Sequence, residues 1–304
     1  MKSKKGLIIG GMAGLGVLIV AAIVVLVILL KGGTAKDSYR VIKVSKIDGN
    51  TYISRGDITD LAAYEGMVLQ SGDTVSVDGN STLVLILDED KICYVEQNTE
   101  LKIIAEGTVN ASQTKIELVS GAFTLDVQNK LNDDSEFIVT TPNSTMAIRG
   151  TIPYVAFGID ENGDEFTDYL LLKGTVYSEK KGGEGYNLST GDKIRILSGS
   201  APAKLGKVSL SDMSKTTVEN WKEIHLMDSI DLFSTQDLDD DIKKKTKDKY
   251  TVEFVYNGQV FATQEVKSGG KITEPTLAPS DKGKWYTNFD SPVNDDLTIV
   301  WKEQ

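Results

Sequence analysis

Leu69-Gln-Ser-Gly-Asp-Thr-Val-Ser-Val77 (LQSGDTVSV) and Leu188-Ser-Thr-Gly-Asp-Lys-Ile-Arg-Ile196 (LSTGDKIRI) are two copies of one pattern, L-x-x-G-D-x-Φ-x-Φ with Φ apolar. Each sets an inward leucine, a glycine where the chain must bend with positive φ, and a new strand that keeps its apolar side chains on one face. Looser L-x-x-G copies stand at Leu118 to Gly121 and Leu171 to Gly174. A corner repeated in this way predicts a winding all-β roll, solenoid-like, rather than a flat sheet.

The sequence on either side agrees. From residue 39 to about 203 it alternates apolar and polar residues between turn residues, with no stretch of helical period. YRVIKVSKIDGNTYISR predicts a hairpin closing at Asp48-Gly49-Asn50, and STLVLILDEDKICYVEQ one closing over Asp88 to Lys91. Between 209 and 236, Val218, Trp221, Ile224, Leu226 and Ile230 fall near helical spacing and predict an amphipathic helix packed back on the β region. DLDDDIKKKTKDK (237–249) is dense in charge, lacks aromatics and predicts a solvated linker. Residues 250–304 form a second, small β module with a hairpin at Asn257-Gly258, its core expected from Phe254, Trp285, Tyr286, Phe289 and Trp301.

At the other end of the chain, Gly6 to Leu30 carries no charged side chain. At about 1.5 Å per residue it would extend roughly 37 Å, enough to cross a bilayer. It is expected to be an uncleaved transmembrane signal anchor. Lys2, Lys4 and Lys5 would keep residues 1–5 in the cytoplasm and place the remainder outside the cell, at the plasma membrane. Gly6, Gly10 and Gly14 share one face of that helix, a small-residue spacing suited to a homodimer.

The net charge is −11, and the five lysines of residues 1–36 conceal a charge of −16 on the rest of the chain. That field excludes nucleic acid and other polyanions as partners held by long-range attraction. Cys93 is the one cysteine, so no intrachain disulfide exists, which suits an exported bacterial protein. Chemistry is sparse. His225 is the one histidine and has no nucleophile signature near it. Asp160, Asn162 and Asp164 have the spacing of a calcium loop, but the twelfth position is Leu171 and an Asn-Gly turn is the simpler reading. Asp73 and Asp192 are expected to accept local backbone N–H groups. No enzyme, cofactor or metal site is expected.

Residues of roughly 65 to 197 resemble the FecR domain. The motifs are LQSGDTVSV, TLVLILDEDKICYVEQNTELKI, LVSGAFTLDV and FIVTTPNSTMAIRGTIPYVAF, in which Arg149-Gly150-Thr151 stands where the family has its V-R-G-T core. Residues 250 to 302 resemble the Listeria–Bacteroides repeat, the internalin B-repeat type, through YTVEFVYNGQVFATQEVKSGGKITEPTLAP and the terminal DLTIVW. The first resemblance implies an exported β domain, the second a small β-grasp-like module on a surface protein, together fitting a Gram-positive bacterium. Arg149, Gly150 and Thr151 are therefore the family-signature and candidate binding residues, with the Arg149 guanidinium expected either to brace strands or to contact a ligand.

The expectation is a non-enzymatic, membrane-anchored extracellular protein that senses or scaffolds at the cell envelope, its partner an envelope component or a membrane protein. The alternative is a regulatory receptor ectodomain controlling a separate membrane partner. Direct anti-sigma activity is not expected, because a tail of about five residues cannot present an interface of ordinary size.

Overall fold

In the computed structural model the described residues are 40–304, apart from Glu161, residues 200–202, residues 224–225 and Gln304. The chain winds between two sheets. It begins in the first sheet with β1 (Ile42–Asp48) and crosses to the second with β2 (Thr51–Arg55) and β3 (Ile58–Ala62). β4 (Val68–Leu69) touches the first sheet again, β5 (Thr74–Val77) enters the second, and the hairpin of β6 (Thr82–Leu87) and β7 (Lys91–Val95) returns to the first. β8 (Thr99–Thr108) lies in the second sheet, and β9 (Ala111–Val127) belongs to both. β10 (Glu136–Thr140) and β11 (Ser144–Ile148) then lie in the second, and β12 (Ile152–Ile159) and β13 (Glu165–Lys173) in the first. β14 (Thr175–Lys180) and β15 (Gly185–Ser189) return to the second, β16 (Asp192–Leu197) and β17 (Lys204–Lys207) to the first. The expected roll is what forms.

All four L-x-x-G corners are places where the chain changes sheet or enters the next strand, and Gly72, Gly121, Gly174 and Gly191 all have positive φ. Gly121 is the tightest. It bends β9 so that residues before it pair with β8 and residues after it pair with β7 and β12. A Cβ there would lie 2.3 Å from Thr99 Oγ1 and 2.5 Å from Thr99 Cα. In the two full L-x-x-G-D copies the aspartate caps the corner: Asp73 Oδ2 accepts the Gln70 N–H at 2.8 Å and Asp192 Oδ2 the Ser189 N–H at 2.9 Å.

The core lies between the sheets, where Val44, Leu85, Phe123, Leu125 and Val155 of the first meet Ile53, Val75, Leu101, Ile116, Phe137 and Val139 of the second. The consecutive Leu170-Leu171-Leu172 shows that β13 is buried on both faces. Leu171 faces the inter-sheet core, while Leu170 and Leu172 join Tyr154, Val218, Trp221 and Ile230 in a second cluster outside the first sheet.

That outer cluster is roofed by α1 (Lys215–Glu223) and α2 (Thr235–Lys245). The single amphipathic helix expected over 209–236 is thus α1 with short 3-10 turns at Leu210–Asp212 and Leu226–Asp228. The linker expected over 237–249 is corrected more sharply, because most of it is α2. Ser234 and Asp237 form a reciprocal capping box, Leu238 is fully buried, and Lys243, Lys244 and Lys245 sit in the last turn, where the helix dipole favours cations.

The C-terminal module is a four-stranded sheet in the order β19-β18-β21-β20, from β18 (Lys249–Tyr256), β19 (Gln259–Lys267), β20 (Gly283–Tyr286) and β21 (Leu297–Glu303). Its first hairpin turns at Asn257-Gly258, both with positive φ, and its central pair β18–β21 is parallel. Trp285 packs edge-on against Phe254 and Trp301, with ring centroids 5.0 and 5.1 Å apart. Both tryptophans are therefore part of the core.

Two further expectations are corrected. Asp48-Gly49-Asn50 closes no hairpin: β1 pairs with β4 and β6, β2 with β3 and β5, so this turn is another crossing between sheets. The fold class is corrected to a mainly β architecture with two short helices. At about 1.5 Å per residue, helices of 9 and 11 residues fall well short of a hydrocarbon core of about 30 Å. No helix among the described residues is long and apolar enough to cross a membrane. The expected anchor, residues 6–30 with Gly6, Gly10 and Gly14, lies outside the described residues.

Candidate functional site

The two sheets are covered unequally. The helices roof the first over β9, β12 and β13, whereas the outer face of the second over β10, β11, β14 and β15 is open. A groove of about 530 Å³ lies there. Registers place its side chains in two rows. Ala147 stands opposite Tyr177, and Tyr177 opposite Asn187. The same registers, extended by one or two residues, line up Glu136, Arg149, Thr175 and Ser189. The short side chains of Ala147, Thr175 and Ser189 leave the hollow beside the longer Arg149 and Tyr177, and the inward Phe137, Ile148, Val176 and Leu188 form its floor within the core.

Arg149, Gly150 and Thr151 divide in role. Gly150, at φ +85°, carries the chain from β11 to β12, and a Cβ would come 2.9 Å from Lys130 Cα. Thr151 is buried, and its Cγ2 occupies the space against Gly174. Its carbonyl accepts the Val127 N–H at 3.3 Å. These two residues build the corner. Arg149 alone faces the groove, its side chain 56% exposed and ion-paired with Asp133 of the preceding loop, itself 89% exposed. It does not brace strands.

Tyr177 is the groove residue that sequence reading missed. It is 48% exposed, and its ring lies across β15 where Gly185 has no Cβ to obstruct the phenol. The signal was an aromatic on the solvent side of KGTVYSEK, whose neighbour Val176 is buried. Asn132 and Ser135 close one wall, held by Asn132 Nδ2 donating to the Asn110 carbonyl at 2.7 Å and Ser135 Oγ accepting the Ser112 N–H at 3.0 Å.

Several other charged groups satisfy one another. The residue that braces strands is Arg40. Its Nε donates to both Asp88 oxygens at 2.8 and 2.9 Å, its other nitrogens to the Glu106 and Gln113 carbonyls and to Thr114 Oγ1. On the outer face of the first sheet Arg195 grips Asp168 through two bonds of 2.7 and 2.5 Å and lies 4.2 Å over the Phe166 ring. Asp160, in the β12–β13 turn, accepts the N–H groups of Asn162 and Asp164 at 2.9 and 3.0 Å. Those bonds hold its carboxyl below the usual range, as in an Asx turn. Among the described residues no three His, Cys, Asp or Glu side chains gather as a metal site. Cys93 is fully buried, and burial pushes its thiol far up. His225 lies outside the described residues.

No curated protein matches the chain. Two crystal structures of a candidate anti-sigma factor from Parabacteroides distasonis ATCC 8503 are similar, at 12% and 14% identity, each with a TM-score of 0.41. Each match covers 76% of this chain and 99% or 98% of the other. Residues 73–177, about a third of the chain, match the family model described as FecR protein. The match runs from the capping aspartate of the first corner to Tyr177, so the part of the roll that carries Arg149, its corner and most of the open groove is the part that matches the FecR protein family.

Proposed function

We propose that the chain is a non-enzymatic recognition protein with a regulatory role, and that its ligand seats on the open face of the second sheet between Arg149 and Tyr177. The observation that carries this reading is the unequal covering of the two sheets. In the part matching FecR one face is roofed by helices, and the other exposes an aromatic ring and a guanidinium over a floor buried in the core. Sites on rigid strands hold geometry better than sites on loops. The ligand is a polar partner, a protein segment or a neutral envelope polymer, since the acidic surface repels polyanions. The resemblance of residues 250 to 302 to surface-protein repeats supports a place at the cell envelope.

A photo-reactive amino acid at position 177 of the full chain, irradiated in the native cells, tests this. An adduct should form at 177, be absent from a control at Thr263 on β19, and disappear with Arg149→Glu. An adduct at both positions, or one indifferent to Arg149→Glu, removes the groove from the mechanism.

A further inference from the structure

The C-terminal module is seated on one end of the roll. Three turns of the roll meet it: Asn50, Gly79-Asn80 and Asn98. The Gly79 N–H donates to the Tyr286 carbonyl at 2.9 Å, and the Gly79 carbonyl accepts Thr287 Oγ1 at 2.9 Å. Asn98 Nδ2 donates to the Thr298 carbonyl at 2.6 Å, Asn80 Nδ2 to that of Ser291 at 3.2 Å, and Asn50 Nδ2 to that of Thr287 at 3.3 Å. Asn80 and Asn98 both have positive φ, a conformation that asparagine tolerates better than most residues. α1 completes the seat, because the Thr216 N–H and hydroxyl both donate to Asp295 of the module.

At this polar contact stand two carboxyl groups that make no ion pair among the described residues, Asp78 buried and Glu96 half-buried. Asp78, next to Gly79, is 4% exposed. Its field contains Asn50, Asp60, Tyr52 and the module's Lys284 and Lys302. Those ammonium groups are engaged elsewhere: Lys284 Nζ lies 5.2 and 4.8 Å from the Tyr52 and Tyr286 ring centroids, and Lys302 Nζ is 3.6 Å from Glu100. Glu96 accepts the Thr217 hydroxyl of α1 at 2.7 Å. The titratable groups around it are Lys46 and Glu223, ion-paired to each other, Tyr94 and Tyr154 of the roll, and Asp295 of the module.

We infer that the seating of the C-terminal module on the roll is an acid-strengthened latch, in which Asp78 and Glu96 take up protons as the contact closes and weaken it when they ionise. Burial pushes Asp78 up to about 6 and Glu96 up to about 7, with Asp295 adding to the effect on Glu96. By linkage, a carboxyl raised in the closed form contributes fully below its ordinary value of roughly 4, and that contribution is lost as pH rises through the raised value. For these two groups the window runs from roughly 4 to 7. The Lys284 and Lys302 ammonium groups oppose the rise of Asp78 and do not cancel it.

Amide hydrogen exchange of the full chain between pH 5 and 8, corrected for the intrinsic rate, reads the latch at the Gly79 N–H. Raising a carboxyl's pKa by one on closure changes the closing equilibrium by about tenfold. Protection at Gly79 should therefore fall about tenfold or more, while Val139 in the centre of β10 changes far less. The double variant Asp78→Asn, Glu96→Gln, which fixes both groups in the neutral shape, should keep Gly79 protected throughout. The inference is overturned by constant protection at Gly79 in the unaltered protein, by an equal loss at Val139, or by a loss that persists in the double variant.

Discussion

Trp221 of α1 donates its indole N–H to Thr124 Oγ1 of β9 at 2.9 Å, so the helical roof is tied to the one strand that both sheets share. Trp221 is almost wholly buried and meets Tyr154 edge-on at 6.4 Å. Trp221→Ala should lower stability by about 3–5 kcal/mol through lost packing. Trp221→Phe, which keeps most of the contact but strands the Thr124 hydroxyl, should cost about 1–3 kcal/mol. Urea unfolding of both variants checks the ratio.

Arg40 and Asp88 are a buried pair, their side chains 6% and 1% exposed. Arg40→Met leaves Asp88 with the Lys91 ammonium 3.5 Å away and the Val41 N–H at 3.3 Å, and should destabilise by about 3–5 kcal/mol. Adding Asp88→Asn removes the stranded charge and keeps a residue that tolerates φ +51°, so the double variant should be more stable than Arg40→Met. A melting temperature no higher in the double variant would refute this account.

The corners differ in their tolerance of a side chain. Gly72→Ala meets nothing within 4 Å and should cost only the backbone term, about 1–2 kcal/mol. Gly121→Ala must in addition displace Thr99, and should lose several times as much or fail to yield soluble protein. Paired thermal melts decide the matter.

Helix α2 rests on a cap and one buried leucine. Ser234→Ala, which breaks the reciprocal box with Asp237, should cost about 0.5–2 kcal/mol, and Leu238→Ala about 2–5 kcal/mol. Equal small losses from both would mean that the segment is a solvated linker after all.

The L-x-x-G corners made the roll legible, because a glycine with positive φ after an inward leucine is a local necessity that the sequence states directly. Asp48-Gly49-Asn50 shows where such reading ends. A two-sheet roll and a hairpin need the same turn residues, and only the distant partners β4, β6 and β5 decide which sheet each arm enters. Residues 237–245 read as a linker because charge density hides Leu238 and Ile242, one helical turn apart and both directed at the roof cluster. At the site, the corner motif announced Arg149, but Tyr177 became visible only when the register set it beside Ala147 and Asn187.

The bend of β9 at Gly121 makes one 17-residue strand the common spine of both sheets. No cut through the roll yields halves that each keep a full complement of strand partners, so split fragments should not reassemble as independent lobes. Chemical denaturation of residues 40–197 should then proceed as one all-or-none event. A tug on β10 or β12, whichever a bound partner grips, is felt by the opposite sheet through covalent bonds instead of through side-chain contacts that could slip.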